Sequence, residues 1–237
     1  AKLMTLPGRG AKIDAEALKA RIAGIRQDVH QVQPAAISIT NATEYGLVWR
    51  ADEIGEISQI ARANGMKLHM DGARFANAAA HLGGSPEEAA RSASGPVDSL
   101  AFGFIKNGGM GAEAVVLFDP EAAQQVRYRR KRAGHLQCKG RYLAAQILAM
   151  LEDGLWLANA AHANAAAREV AAGCADRLLH PVEANELFVH LTEAERAALR
   201  AQDFAFYDWG PESARFVTAW NTRSEDAAAL GKAIAAL

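Results

Sequence analysis

Two short stretches carry the residues best suited to chemistry. In LHMDGARFANA, residues 68–78, Asp71 and Arg74 stand at the end of a short apolar run; in SLAFGFIKNGGMG, residues 99–111, Lys106 closely follows another. A strand that stops at Met70 would push Asp71 and Arg74 out of the sheet edge into a crevice where charged groups could hold a ligand. In open parallel sheets, ligands collect outside the carboxyl ends of the strands, where loops from several strands converge. Taken singly, each residue has a plainer reading. Asp-Gly and Asn-Gly are common turn signals, and a lysine in a glycine-rich turn is usually solvated.

Together, the carboxylate and the amine suit a cofactor that needs an acid at one end and an amine at its reactive carbon. Pyridoxal phosphate needs both. Its aldehyde condenses with a lysine, and its ring is an electron sink only while the pyridine nitrogen stays protonated, which a nearby carboxylate enforces. His69 would share a strand face with Asp71, either orienting the carboxylate or simply packing.

Positioning these residues requires strands that end side by side. From residue 36 to about 118, short apolar runs alternate with amphipathic ones, the pattern of βα units building a parallel sheet. Residues 35–40 read as a strand and 49–65 as a helix with Ile54, Ile57, Ile60 and Ala61 on one face, stopped by Gly65. KLHM returns to the sheet. Residues 85–95 carry a serine N-cap, proline at the first helical position, two glutamates in the first turn and a terminal glycine. Residues 97–104 and 112–119 read as two further buried strands joined by IKNGGMG, a turn that leaves room for backbone to pass close by. Because it runs from strand to strand, it lacks the following helix that a P-loop requires. Long alanine-rich helices then run to about residue 173, and NELFVHLT, EAERAALRAQ, FAFYDWG, SARFVTAWN and a helix from Ser224 read as a small α+β unit. The expected fold is α/β, a mostly parallel sheet flanked by helices over residues 1–150, with a smaller C-terminal α+β domain over 151–237.

Composition excludes several functions. With 50% hydrophobic and 22% charged residues, the chain of 237 can bury a sizeable core. A net charge of −1 gives no global field toward nucleic acid or anionic membrane. RYRRKR, residues 127–132, is locally basic, but on a helix its side chains point in several directions. Cys138 and Cys174, in segments that read as helical, lack CxxC spacing and nearby histidines, arguing for reduced thiols in the cytoplasm and against a metal site. No apolar run approaches the roughly 20 residues that span a bilayer.

DGAR after a strand, followed by SLAFGFIKNGGMGAEAVVLF, resembles the L-threonine aldolases and their phenylserine-cleaving relatives among the type I pyridoxal-phosphate enzymes. The likeness extends over ISITNATEYGLVWRADEI, RYRRKRAGHLQCKGRYLAAQILAML and SARFVTAW. It implies that Lys106 condenses with the cofactor, that Asp71 pairs with the ring nitrogen, and that Arg74 binds near the ring hydroxyl or the substrate carboxylate. Arg215 then matches the arginine that grips the substrate carboxylate, a task suited to a bidentate guanidinium. The implied reaction is cleavage of L-threonine or a related β-hydroxy-α-amino acid to glycine and an aldehyde, by a homo-oligomer in which RYRRKR lies near a subunit contact.

The chain departs from that pattern twice. Ile105 stands where many relatives carry threonine or serine before the lysine. Family members also carry about a hundred residues before the segment matching KLMTLP. The resemblance therefore implies that the front of the large domain is absent, with its phosphate-holding loop, its ring-stacking side chain and its hydroxyl-handling histidine. Other readings are an aminotransferase or β-eliminating lyase on the same scaffold, an inactive fragment or oligomerisation subunit, and a nucleic-acid binder.

Overall fold

The computed structural model describes residues 2–9 and 11–237. A short antiparallel pair, β1 (Gly8–Arg9) and β2 (Lys12–Ile13), precedes α1 (Ala15–Ala23), which Asp14 caps by accepting from Ala17 N at 2.9 Å. The main sheet follows: β3 (Ala36–Thr40), α2 (Ala51–Ala63), β4 (Lys67–Gly72), α3 (Phe75–Leu82), α4 (Pro86–Ser94), β5 (Ser99–Phe102) and β6 (Ala114–Leu117). Its strands lie in sequence order, with β3, β4 and β5 parallel and β6 antiparallel to β5. A direct turn can join β5 to β6 only in that antiparallel sense, whereas the parallel neighbours need the intervening helices. The carboxyl ends of β3, β4 and β5 therefore share one edge.

The expected helices form for the expected reasons. Ile54, Ile57, Ile60 and Ala61 are all buried in one core with Ile37, Ile39, Leu68, Met70, Ala89 and Ala93. Ser85 and Glu88 close a reciprocal capping box at α4, with Ser85 N donating to Glu88 Oε2 at 2.9 Å. Helix α3 lies within a stretch for which no helix is expected from sequence.

The strands are covered less evenly than a run of buried residues suggests. Burial alternates along β3 and β4, with Ile37, Ile39, Leu68 and Met70 buried while Ser38 and Asp71 are exposed. Register aligns Ser38, His69 and Ser99 across the sheet, then Thr40, Asp71 and Ala101. Side chains alternate faces along a strand, so both rows belong to the open face.

Past the sheet run α5 (Pro120–Arg132), α6 (Arg141–Leu151) and α7 (Leu155–Ala172). Cys138 and Cys174 lie outside these helices, Cys138 exposed in the turn before α6 and Cys174 buried just beyond α7. The remainder is β7 (Glu186–His190), α8 (Glu193–Arg200), β8 (Tyr207–Asp208), β9 (Ser213–Val217) and α9 (Ser224–Ala235), with β9 between β7 and β8 in an antiparallel sheet. A second core joins Val170, Leu187, Val189, Leu199, Phe216 and Ile234. Helix α7 serves both cores, through Trp156 and Ala160 in the first and Ala166, Ala167 and Val170 in the second.

Candidate active site

The chemistry-bearing residues gather where the three parallel strands end. Strand β4 runs on to Gly72, two residues past the expected stop at Met70, so Asp71 is the penultimate strand residue rather than a loop residue. It is exposed on the open face, opposite Ala101, and its Oδ1 accepts from Ala73 N at 2.9 Å. That local bond fixes one carboxylate oxygen.

Lys106 sits in a single 3-10 turn, Ile105–Asn107, four residues past the end of β5. The turn is held from three sides. Glu113 accepts from Phe104 N at 3.2 Å and from Ile105 N at 3.1 Å; Asn107 Nδ2 donates to Trp156 O at 2.6 Å; Asn159 Nδ2 donates to Asn107 O at 3.0 Å. The backbone is thus fixed while the Lys106 side chain is exposed and has no partner among the described residues.

Glycines bring these two strand ends together. A Cβ on Gly72 would lie 2.6 Å from Ala101 O, and one on Gly103 would lie 2.8 Å from Ala73 Cα. Both are closer than real Cβ contacts allow, so the DG and FGF sequences are needed for the approach itself. His69, on the same face as Asp71, is bonded through Nδ1 to Ser99 Oγ at 2.9 Å, so its partner is the neighbouring strand.

Arg74 and Arg215 converge on a residue that sequence reasoning missed. Glu186, at the start of β7, has a fully buried side chain, while those of Arg74 and Arg215 are 12% and 15% exposed. Arg74 Nη2 lies 3.2 Å from Glu186 Oε1; Arg215 donates to the same oxygen through Nε at 3.1 Å and through Nη2. Glu186 Oε2 and Arg74 Nε have no hydrogen-bond partner among the described residues. Burial pushes the Glu186 carboxyl above its ordinary value, and the two guanidiniums oppose that shift. Burial likewise lowers Arg74, with the Glu186 charge opposing it. The available signal was a glutamate opening the otherwise apolar run ELFV, since buried charges are retained only with partners.

The loop after β3 completes this corner. Asn41 ties it down, its Nδ2 donating to Ala93 O at 2.9 Å and its Oδ1 accepting from Trp49 N at 3.1 Å. Glu44 approaches Arg215 at 3.6 Å but is 61% exposed. Tyr45 packs edge-on to Phe188 at 5.0 Å, and the Arg215 guanidinium lies over Phe188 and Trp209 at 5.9 and 5.7 Å. Aromatic faces of this kind hold a guanidinium in place without neutralising it.

This donor set fits pyridoxal phosphate at two ends, with an exposed carboxylate at the end of β4 and an exposed amine in the turn after β5, on chain segments that glycines bring together. Asp71 would face the ring nitrogen and Lys106 the aldehyde carbon.

Fold and site together describe an α/β enzyme with its reactive groups at the carboxyl edge of a mostly parallel sheet. The sequence profile of the beta-eliminating lyases matches residues 1–194, and the chain belongs to that family. It is 42% identical over 226 residues to a low specificity L-threonine aldolase of a Pseudomonas species, covering 93% of this chain and 64% of that protein. A low specificity L-threonine aldolase of Pseudomonas aeruginosa is 45% identical over 205 residues, covering 84% and 59%. The chain thus spans less than two thirds of the length of these relatives. A solved Leishmania major threonine aldolase superposes with a TM-score of 0.87 at 28% identity, covering 98% of this chain and 69% of that one. A serine palmitoyltransferase of Sphingomonas wittichii shares the fold, with a TM-score of 0.67 at 16% identity.

Proposed function

We propose that this chain carries the lysine, the ring-facing carboxylate and the carboxylate-gripping arginines of a pyridoxal-phosphate-dependent lyase. Its substrate is L-threonine or a related β-hydroxy-α-amino acid, cleaved to glycine and an aldehyde. The observation that carries this reading is the position of Asp71 at the end of β4 and of Lys106 in the turn that follows its parallel neighbour β5, in a chain whose 42–45% identical relatives are named L-threonine aldolases.

When bound, pyridoxal phosphate supplies an aldehyde carbon and a protonated ring that takes up the electron pair of the breaking Cα–Cβ bond. Asp71 keeps the proton on the ring nitrogen by favouring its charged form. Lys106 would hold the cofactor through its amine, at the aldehyde carbon. Arg74 and Arg215 grip the α-carboxylate, so that the scissile bond is oriented before it breaks.

A reducing, cytoplasmic setting suits the two free thiols, Cys138 and Cys174. Among the described residues no helix is long and apolar enough to cross a membrane. A homo-oligomer, dimer or tetramer, suits α5 and α6, because α5 has no buried residue and Tyr128, Tyr142 and Leu148 are exposed along these helices.

The test is to incubate the protein with pyridoxal phosphate and L-threonine and to measure glycine and acetaldehyde. Equal amounts of both, dependent on Lys106, are expected. Amino transfer to a keto acid without acetaldehyde would replace the aldolase reading with an aminotransferase on the same scaffold.

A further inference from the structure

Two guanidiniums share one oxygen of one buried carboxylate at the corner of the site. Glu186 is fully buried, Arg74 and Arg215 nearly so, and Oε1 takes both arginines while Oε2 takes neither. Such an arrangement is a poor way to gain stability. A buried ion pair roughly offsets its own desolvation, and an unpaired buried oxygen adds a further cost.

What the carboxylate does change is the charge that the site presents. Two cations and one buried anion leave a single positive charge. Among the described residues the other anion in contact with Arg215 is Glu44, which is mostly solvated and 3.6 Å away, so water weakens its hold. Asp71 faces Arg74 only through a longer-range attraction. Among the described residues, Nε of Arg74 is a buried donor at this corner without a hydrogen-bond partner.

Resting on the reading of Arg74 and Arg215 as the substrate-carboxylate site, we propose that Glu186 is its specificity-determining residue. By trimming two guanidiniums to one net charge, it makes the site accept amino acids with a single carboxylate and reject dicarboxylic ones. The loop after β3 holds Glu186 in place: a Cβ on Gly46 would lie 3.3 Å from Glu186 Cβ and its carbonyl oxygen, so the loop backbone packs directly on it.

Acetate and malonate test this without turnover, being a monoanion and a dianion with no amine to react. Their binding to the pyridoxal-phosphate-loaded protein is measured by tryptophan fluorescence, to which Trp209 beside Arg215 contributes. The native protein is expected to bind malonate no tighter than acetate. Glu186→Gln should favour malonate over acetate by at least tenfold more than the native protein does. Adding Arg74→Gln returns the net charge to one and should restore the native ratio. A purely structural Glu186 would weaken both anions together and would not respond to the second substitution.

An unchanged ratio in a folded Glu186→Gln variant, with both anions lost in Arg215→Ala, overturns the inference and leaves the carboxylate site standing. Both anions still bound in Arg215→Ala would remove the site itself, and the inference with it. Should Glu186→Gln not fold, the native ratio decides, and a tenfold preference for malonate overturns the proposal.

Discussion

Gly72 and Gly103 meet backbone to backbone at the ends of β4 and β5. Gly103 N donates to Gly72 O at 3.0 Å, and a Cβ on Gly103 would stand 2.9 Å from that same oxygen. The contact fixes the spacing of the two chain segments that carry Asp71 and Lys106, so it links local backbone to chemistry. Gly103→Ala must force the strand ends apart. We expect a loss of about 1–3 kcal/mol, typical of overpacking, together with weaker uptake of pyridoxal phosphate. Urea unfolding and a cofactor titration monitored by absorbance check the two parts, and an unchanged titration would uncouple the glycine from the site.

Lys106 and Asp71 should fail differently. Lys106→Ala removes the amine assigned to covalent linkage and should abolish the absorption band of the linked cofactor. Asp71→Asn keeps a similar shape and leaves some linkage, but it no longer favours a protonated ring nitrogen. Turnover should fall by at least tenfold more than linkage does. Equal turnover in Asp71→Asn and the native protein would contradict the assignment of the ring nitrogen to Asp71.

Much of this arrangement was legible in the sequence where one local signal decides one element. The spacing of Ile54, Ile57 and Ile60 marked the buried face of α2, and the Ser85 N-cap followed by Pro86 marked the start of α4. Helix α3 was not legible because its N-cap, Arg74, makes no side-chain cap bond and follows directly on a turn-like DGA. Strand β4 outlasted Met70 because the bond from Asn41 N to Asp71 O, at 3.0 Å, continues the ladder, and no composition rule sees a partner strand. Glu186 was hidden for the same reason. Its partners are far away in sequence, and a single glutamate in a short run gives no hint of two arginines.

The two thiols differ in environment, which gives a chemical check on the fold. Burial pushes Cys174 up to about 11, with the Asp176 charge acting in the same sense, while Cys138 is exposed. The thiolate is the reacting species. A disulfide reagent at pH 8 should therefore titrate one thiol rapidly in the native protein and a second only after denaturation. Rapid reaction of both would place Cys174 outside its core.

Helices α3 and α7 are joined by a reciprocal buried pair. Asn77 Nδ2 donates to Asn164 Oδ1 at 2.9 Å, and Asn164 Nδ2 donates to Asn77 O at 2.9 Å. Asn164→Ala strands the Asn77 side-chain amide in the core. A cost of about 1–3 kcal/mol is expected, read as a lower denaturation midpoint at an unchanged slope. Because α3 begins immediately after Arg74, the same variant should also loosen the grip on carboxylates.

Acid should weaken the smaller unit through Glu195. Its carboxylate accepts from Arg177 Nη1 at 2.7 Å and from Thr192 N at 2.7 Å, and these bonds, the Arg177 one first, bring it down to about 2 from a usual 4.5. A depressed carboxylate contributes stability that is present above the unfolded value and lost as pH falls through the folded one. The window therefore runs from about 4.5 down to about 2. Glu195→Gln keeps a capping side chain on Thr192 but loses the ionic bond to Arg177, which is partly open to solvent. At pH 7 the variant should be less stable by about 0.5–1 kcal/mol. That gap should close across the window, because the native carboxylate is then protonated and the two proteins carry the same charge. A gap that stays constant to pH 2 would show that Arg177 and Glu195 are not coupled in the folded protein.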